Sequence, residues 1–208
     1  MSDPPADSLQ TGSGAPRSAG VLFHPTSLPG TPACGTFGGQ ARAWIDLLAQ
    51  AGVRVWQLLP LAPTDSLGSP YSSPSGSALN PWLLDGDDLV ASGALQPADL
   101  QAVPGGGEER LEPELAAARA QALAQRWSEQ RPEEQRNFRL WCDRERFWLR
   151  DHCLFMALRR HHDLRPWWEW SPELVRRSRR VLRRAGKDQR QAVLEEGQLQ
   201  WHLQQQWN

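Results

Sequence analysis

Glutamate is absent from the first 107 residues of this 208-residue chain, lysine occurs once against 22 arginines, and there are three cysteines and one tyrosine. No apolar run approaches the ~18 residues that a membrane-crossing helix needs, so no transmembrane helix is expected. The first twenty residues carry no apolar core between a basic start and a cleavage site, which argues against a secretory signal. Asp3 and Asp7 beside a single Arg17 argue against a plastid transit peptide. Cys34, Cys142 and Cys153 form no CxxC pair and no even framework, so reduced thiols in the cytoplasm are expected. A net charge of -1 offers nucleic acid no global attraction.

What is present is divided unevenly. Residues 1–107 hold 15 of the 17 glycines, 13 of the 17 prolines and only three basic residues. Residues 108–208 hold 12 glutamates and 20 basic residues with two glycines, a composition that sustains long helices. Three regions are expected: a disordered tail over 1–19, a strand-and-loop part over 20–107, and a helical part over 108–208. Their seam falls in the run Gly105-Gly106-Gly107.

Along the chain, 20–24 reads as a short strand buried on both faces and ended by Pro25. Ala43, Trp44, Leu47, Leu48 and Ala51 recur at helical spacing before Gly52, which stands where a C-terminal cap belongs. Residues 53–61 are β-branched and apolar and end near Pro60, so they read as a second buried strand. Strand, helix, strand implies a parallel crossover. Turn formers fill 62–86. In the second half, Leu111, Leu115, Ala118, Ala122 and Trp127 mark one amphipathic helix, and a long one spans 137–160. That long helix carries two apolar stripes, Trp141, Trp148, Phe155 and Met156 on one and Leu140, Phe147, Leu154 and Leu158 on the other, which predicts packing on two sides. Helices over 172–185 and from 189 onward complete the pattern.

Parallel α/β architectures bind ligands beyond the carboxyl ends of their strands, so the loop after the second strand is the first candidate site. It contains Ser69-Pro70-Tyr71. The Tyr71 ring could lie on the apolar face of a sugar while its hydroxyl bonds it; an ordinary turn residue is the alternative. Glycosidic chemistry needs a carboxylate pair, and Asp65, Asp85, Asp87 and Asp88 read instead as turn and cap residues in water, so no catalytic residue is assigned. His152, Cys153, His161 and His162 match no metal-ligand spacing. Arginines 176, 177, 179, 180, 183 and 184 with Lys187 surround Leu174, Val175, Val181 and Leu182, as expected of the solvated side of a packed helix. Trp167, Trp168 and Trp170 could stack on sugars, anchor a partner, or pack between helices.

Four segments taken together resemble the 4-alpha-glucanotransferases, or amylomaltases: GVLFHPTSLPG at 20–30, WQLLPLAPT at 56–64 with GSPYSSPSGSALNPWLL at 68–84, FWLRDHCLFMALRR at 147–160, and PWWEWSPELVRR at 166–177. The resemblance implies an α/β fold, the first two strands of a (β/α)8 TIM barrel followed by a mostly helical inserted subdomain. It also implies an activity, retaining transfer of alpha-1,4-glucan segments, with glucan oligosaccharides as partners; no metal, cofactor, nucleic acid or membrane is expected. Tyr71 matches the family's aromatic platform under the sugar, Ser69 a polar contact in the same loop, and Asn80 the family's Asn-Pro step; these are the substrate-binding residues it implies. His24 is expected to shape the top of the barrel. Residues 64–68 depart from the tyrosine and glycines that relatives often carry there. The catalytic carboxylates of relatives lie on later strands, so the resemblance implies an amino-terminal portion, inactive alone. The competing class is a helical interaction module formed by residues 108–208.

Overall fold

The computed structural model describes residues 18–29, 33–65, 68–105, 111–130 and 135–208. Most of the expected tail, along with Gly106 and Gly107 of the expected seam, lies outside them. Strands β1 (Gly20–Leu22) and β2 (Val55–Gln57) pair in parallel, with Val21 beside Trp56, and α1 (Gly39–Gln50) connects them. Helix α1 ends as its sequence requires. Gly52 takes a left-handed φ of 72°, and the N–H of Val53 returns to the carbonyl of Leu48 at 2.9 Å. Trp44 of α1 packs on Phe23 and Trp56, with ring centroids 5.2 and 6.5 Å away, so one face of the strand pair is covered.

The other face differs from the sequence expectation. Leu22 is 58 % and Val55 45 % exposed, not buried on both sides. The reason is the strand count: two strands covered by one helix leave the opposite face open among the described residues.

Short helices α2 (Gly86–Ala91) and α3 (Pro97–Gln101) lead into α4 (Pro113–Gln130). The buried face of α4 is Ala116, Ala120, Leu123, Ala124 and Trp127; of the expected set Trp127 is at its centre, Leu115 and Ala122 are half-buried beside it, and Leu111 and Ala118 are exposed. Its alanines let neighbouring elements approach closely. The long helix expected over 137–160 is two: α5 (Gln135–Arg144) and α6 (Arg146–His161). Glu145 stands between them at φ -88° and ψ 5°, its carboxylate accepting from the Trp148 indole at 3.0 Å and from Arg144 at 3.1 Å. Only part of the two-sided packing is present: Trp141 and Leu158 are buried, but Leu140 and Phe147 are 60 % and 79 % exposed. The helix expected over 172–185 is likewise two, α7 (Pro172–Val175) and α8 (Arg179–Asp188), separated by Arg177 at a φ of 54°. Helix α9 (Arg190–Trp207) closes the described chain.

One apolar core joins the two compositional halves. Phe37, Leu83, Leu84, Leu89 and Leu95 from the glycine-rich half share it with Leu123, Trp127, Phe138, Trp141, Leu149, Trp201 and Leu203. Trp127 is at its centre, edge-on to Phe138 at 5.8 Å and to the His202 ring at 4.7 Å. Burial pushes the His202 imidazole down to about 4 from its ordinary 6.5.

Two predictions follow from this core. Trp127→Ala should cost about 3–5 kcal/mol in urea unfolding, the transfer and cavity cost of a fully buried indole. The unfolded His202 binds a proton near 6.5 and the folded one only near 4, so stability should fall as pH drops between those values. At ~1.4 kcal/mol per unit the loss approaches about 3 kcal/mol. His202→Phe should flatten this part of the stability-pH curve; an unchanged curve would contradict the assignment.

Candidate functional site

Because β1 and β2 are parallel, the loops that follow them emerge at the same end of the strand pair. His24 begins the first loop as the cap of the 3-10 turn Pro25–Ser27, its Nδ1 accepting from the Thr26 N–H at 3.3 Å. Burial lowers the His24 imidazole below its ordinary value, and the facing Pro60 backbone partly offsets that.

The two loops are bonded to each other. The Thr36 hydroxyl donates to Asp85 Oδ2 at 2.5 Å, the Phe37 N–H donates to the Leu83 carbonyl at 2.9 Å, and the Cys34 thiol donates to the Trp82 carbonyl at 3.2 Å. Gly38 is required at this junction, since a Cβ there would run into the Asp85 carboxylate. Asp85 caps α2 through its Oδ1, which accepts from the Asp88 N–H at 2.8 Å. The cap was expected but its surroundings were not: Asp85 is 3 % exposed rather than in water, because Thr36 and the α2 backbone supply the bonds that water would. Asp88 is held by a two-pronged pair with Arg42, both contacts 2.7 Å.

The candidate loop runs from Leu61 to Asn80 and is closed at its base by the Asn80 N–H donating to the Leu61 carbonyl at 2.7 Å. Asp65 acts as a turn residue, its Oδ1 accepting from the Ser69 N–H at 2.9 Å. The Ser69 hydroxyl oxygen in turn accepts from the Tyr71 N–H at 3.3 Å. Tyr71 is 74 % exposed. Asn80 differs from the other two. It is 2 % exposed, and its Oδ1 accepts from the Trp82 N–H at 3.1 Å, capping the 3-10 turn Pro81–Leu83. The structure therefore bonds half-buried Ser69 to exposed Tyr71 and buries Asn80 as the cap at the base of the loop.

Elsewhere the charged groups serve the fold. Glu196 of α9, which nothing nearby in sequence singles out, is 2 % exposed and meets His152 Nε2 at 3.1 Å and Arg160 at 2.8 Å. Burial pushes its carboxyl up, but the bonds and charges of His152 and Arg160 outweigh this and hold it below its ordinary 4.5. His162 stacks on Trp170 at 5.1 Å and Cys153 is buried, its thiol pushed up by desolvation. Among the described residues no three His, Cys, Asp or Glu side chains are grouped to hold a metal. The buried carboxylates Asp85, Asp99 and Glu196 are each engaged in caps or ion pairs. The α8 arginines are exposed while Val181 and Leu182 are half-buried, and Trp167 and Trp168 are exposed on a 3-10 turn. No described helix is long and apolar enough to cross a membrane.

The strand pair with its joined loops places an exposed tyrosine beyond the carboxyl ends of parallel strands, where parallel α/β architectures bind ligands. A family model described as 4-alpha-glucanotransferase, glycoside hydrolase family 77, matches residues 23–208. The 4-alpha-glucanotransferase of Thermus thermophilus is 38 % identical over 197 residues, 92 % of this chain and 39 % of the relative. That of Synechocystis is 35 % identical over 196 residues, again 92 % of this chain and 39 % of the relative. The solved amylomaltase from Streptococcus agalactiae in complex with acarbose superposes with a TM-score of 0.85 at 28 % identity, covering 92 % of this chain and 40 % of that one. The chain belongs to the 4-alpha-glucanotransferase family, transferases of carbohydrate metabolism, and spans about two fifths of the length of these relatives.

The loop geometry separates its residues by stability. Asn80→Ala should lower the unfolding free energy by about 1–2 kcal/mol through the lost cap and an unpaired backbone donor. Tyr71→Ala, far more exposed, should stay within about 0.5 kcal/mol in the same urea titration.

Proposed function

We propose that this chain is the amino-terminal part of a cytoplasmic 4-alpha-glucanotransferase, in which the loop carrying Ser69 and Tyr71 binds an alpha-1,4-glucan. The observation that carries the reading is the exposed Tyr71 ring on a loop held at the carboxyl ends of parallel strands. Such a ring offers an apolar face to the C–H side of a glucose unit, and the Ser69 and Tyr71 hydroxyls offer bonds to its rim. In the whole enzyme the donor segment is held covalently on a carboxylate and passed, with retention, to a 4-hydroxyl of the acceptor. We assign neither that nucleophile nor the acid/base to this chain, since its buried carboxylates are spent on caps and ion pairs. Residues 20–107 supply the first strands of the barrel and residues 108–208 the inserted subdomain. A separately folding helical module is disfavoured by the core shared between Leu83 and Leu203.

Tyr71 is the only tyrosine in the chain, so selective tyrosine labelling yields one set of ring signals. Titration with maltoheptaose should shift them and saturate. Tyr71→Phe, followed by a calorimetric titration, should keep most of the affinity, and Tyr71→Ala should weaken it ~10-fold, the loss of about 1.4 kcal/mol of stacking. Ring signals that stay fixed to millimolar sugar would sink the assignment. The 208 residues alone should release no glucose from maltotriose.

A further inference from the structure

Gln200 and Gln206 of α9 make the same unusual contact twice. The Leu79 N–H donates to Gln200 Oε1 at 2.9 Å, and Gln200 Nε2 donates back to the Leu79 carbonyl at 3.0 Å. Six residues further along both partners, the Asp85 N–H donates to Gln206 Oε1 at 2.9 Å, and Gln206 Nε2 donates to the Asp85 carbonyl at 2.8 Å. Each carboxamide satisfies both backbone groups of one residue, as a neighbouring strand residue would in a ladder. The spacing matches only because the segment between is contracted. Six helical residues rise ~9 Å, whereas six extended ones span ~20 Å. The 3-10 turn Pro81–Leu83, capped by Asn80, shortens the path, and Leu83 and Leu203 are both fully buried in the same core.

The first clamp lies next to the base of the substrate loop, since Leu79 precedes Asn80, which bonds Leu61 across the loop mouth. Within the loop the described hydrogen bonds are local, Asp65 to Ser69, Ser69 to Tyr71 and Ser73 to Ser75. The base that Asn80 and Leu61 close is thus the part of the loop that α9 holds directly. We propose that Gln200 and Gln206 are positioning residues for glucan binding: the helical subdomain, through α9, sets where the loop presents Ser69 and Tyr71. This rests on the glucan reading of that loop. The second clamp holds Asp85, the same residue that Thr36 bonds, so α9 also fixes the first loop relative to the second.

The test uses the 208-residue chain and three variants, Gln200→Met and Gln206→Met, which keep the side-chain volume, and Leu123→Ala, a core cavity far from either clamp in sequence. Amide hydrogen exchange is read residue by residue, and maltoheptaose affinity by calorimetry. Either glutamine variant should speed exchange of its own partner amide, Leu79 or Asp85, by at least ~10-fold while amides of α4 and α6 hold; Gln200→Met should also weaken maltoheptaose ~10-fold. Leu123→Ala should speed exchange in the core and leave sugar affinity within about 2-fold. Unchanged Leu79 and Asp85 exchange, or changes that only follow the core as in Leu123→Ala, would overturn the clamps. Faster loop exchange with unchanged affinity, in a protein that loses affinity on Tyr71→Ala, would overturn their positioning role. Unchanged affinity on Tyr71→Ala instead overturns the glucan reading itself, which separates the two failures.

Discussion

Leu79 and Asp85, six residues apart in the glycine-rich half, are bound through their backbone N–H and carbonyl groups by two glutamines of α9, while Leu83 and Leu84 between them are buried against Trp127 and Leu203. A loop buried in this way carries backbone donors and acceptors that water cannot reach, and each left unpaired would cost ~1–3 kcal/mol. The carboxamides remove that cost. They allow the segment to act as the floor of the first half and the wall of the second at once. The loop with Tyr71 extends from one end of it, and the junction with Thr36 and Gly38 closes on the other.

That join explains why two halves of opposite composition form one body. Residues before 108 bring little charge and many turns, and residues after it bring arginine-rich helices. The apolar core belongs to both: Phe37, Leu83 and Leu95 of the first half lie in one cluster with Leu123 and Trp127 of α4 and Leu203 of α9. Charged groups buried in the helical part are balanced locally, as Glu196 is by His152 and Arg160. A lone buried carboxylate there would be far more costly than the pair.

What could be read from sequence follows the range of the interaction responsible. Helix α1 with its Gly52 cap and the turn role of Asp65 arise from neighbours a few residues apart, and they were legible; the parallel pairing of strands 35 residues apart was legible because a strand-helix-strand order leaves few other connections. So was the family, through motifs that include Ser69, Tyr71 and Asn80. The interruption at Glu145 was not, because no glycine or proline marks it. The same holds for Arg177, a non-glycine residue at positive φ between two short helices. Asn80 was readable as part of a motif but not as a buried cap, and Glu196, Gln200 and Gln206 were invisible because their partners lie 36 to 121 residues away. The burial of both strand faces was over-read, since a β-branched run reports what a strand is suited to, not what covers it.

The claim that both halves are one cooperative unit can be read from the cysteines, one in the first half and two in the second. Cys34 and Cys153 are buried and Cys142 half-buried, and burial pushes the Cys34 thiol up to about 12 and that of Cys142 to about 11, so all are poor nucleophiles while folded. Pulsed thiol labelling across a urea gradient, with each site quantified by peptide mass, gives a midpoint for each half. The shared core predicts that Cys34 and Cys153 become reactive at the same urea concentration. A Cys34 midpoint well below that of Cys153 would contradict it, and would mean that the helical part stands without the segment it is clamped to.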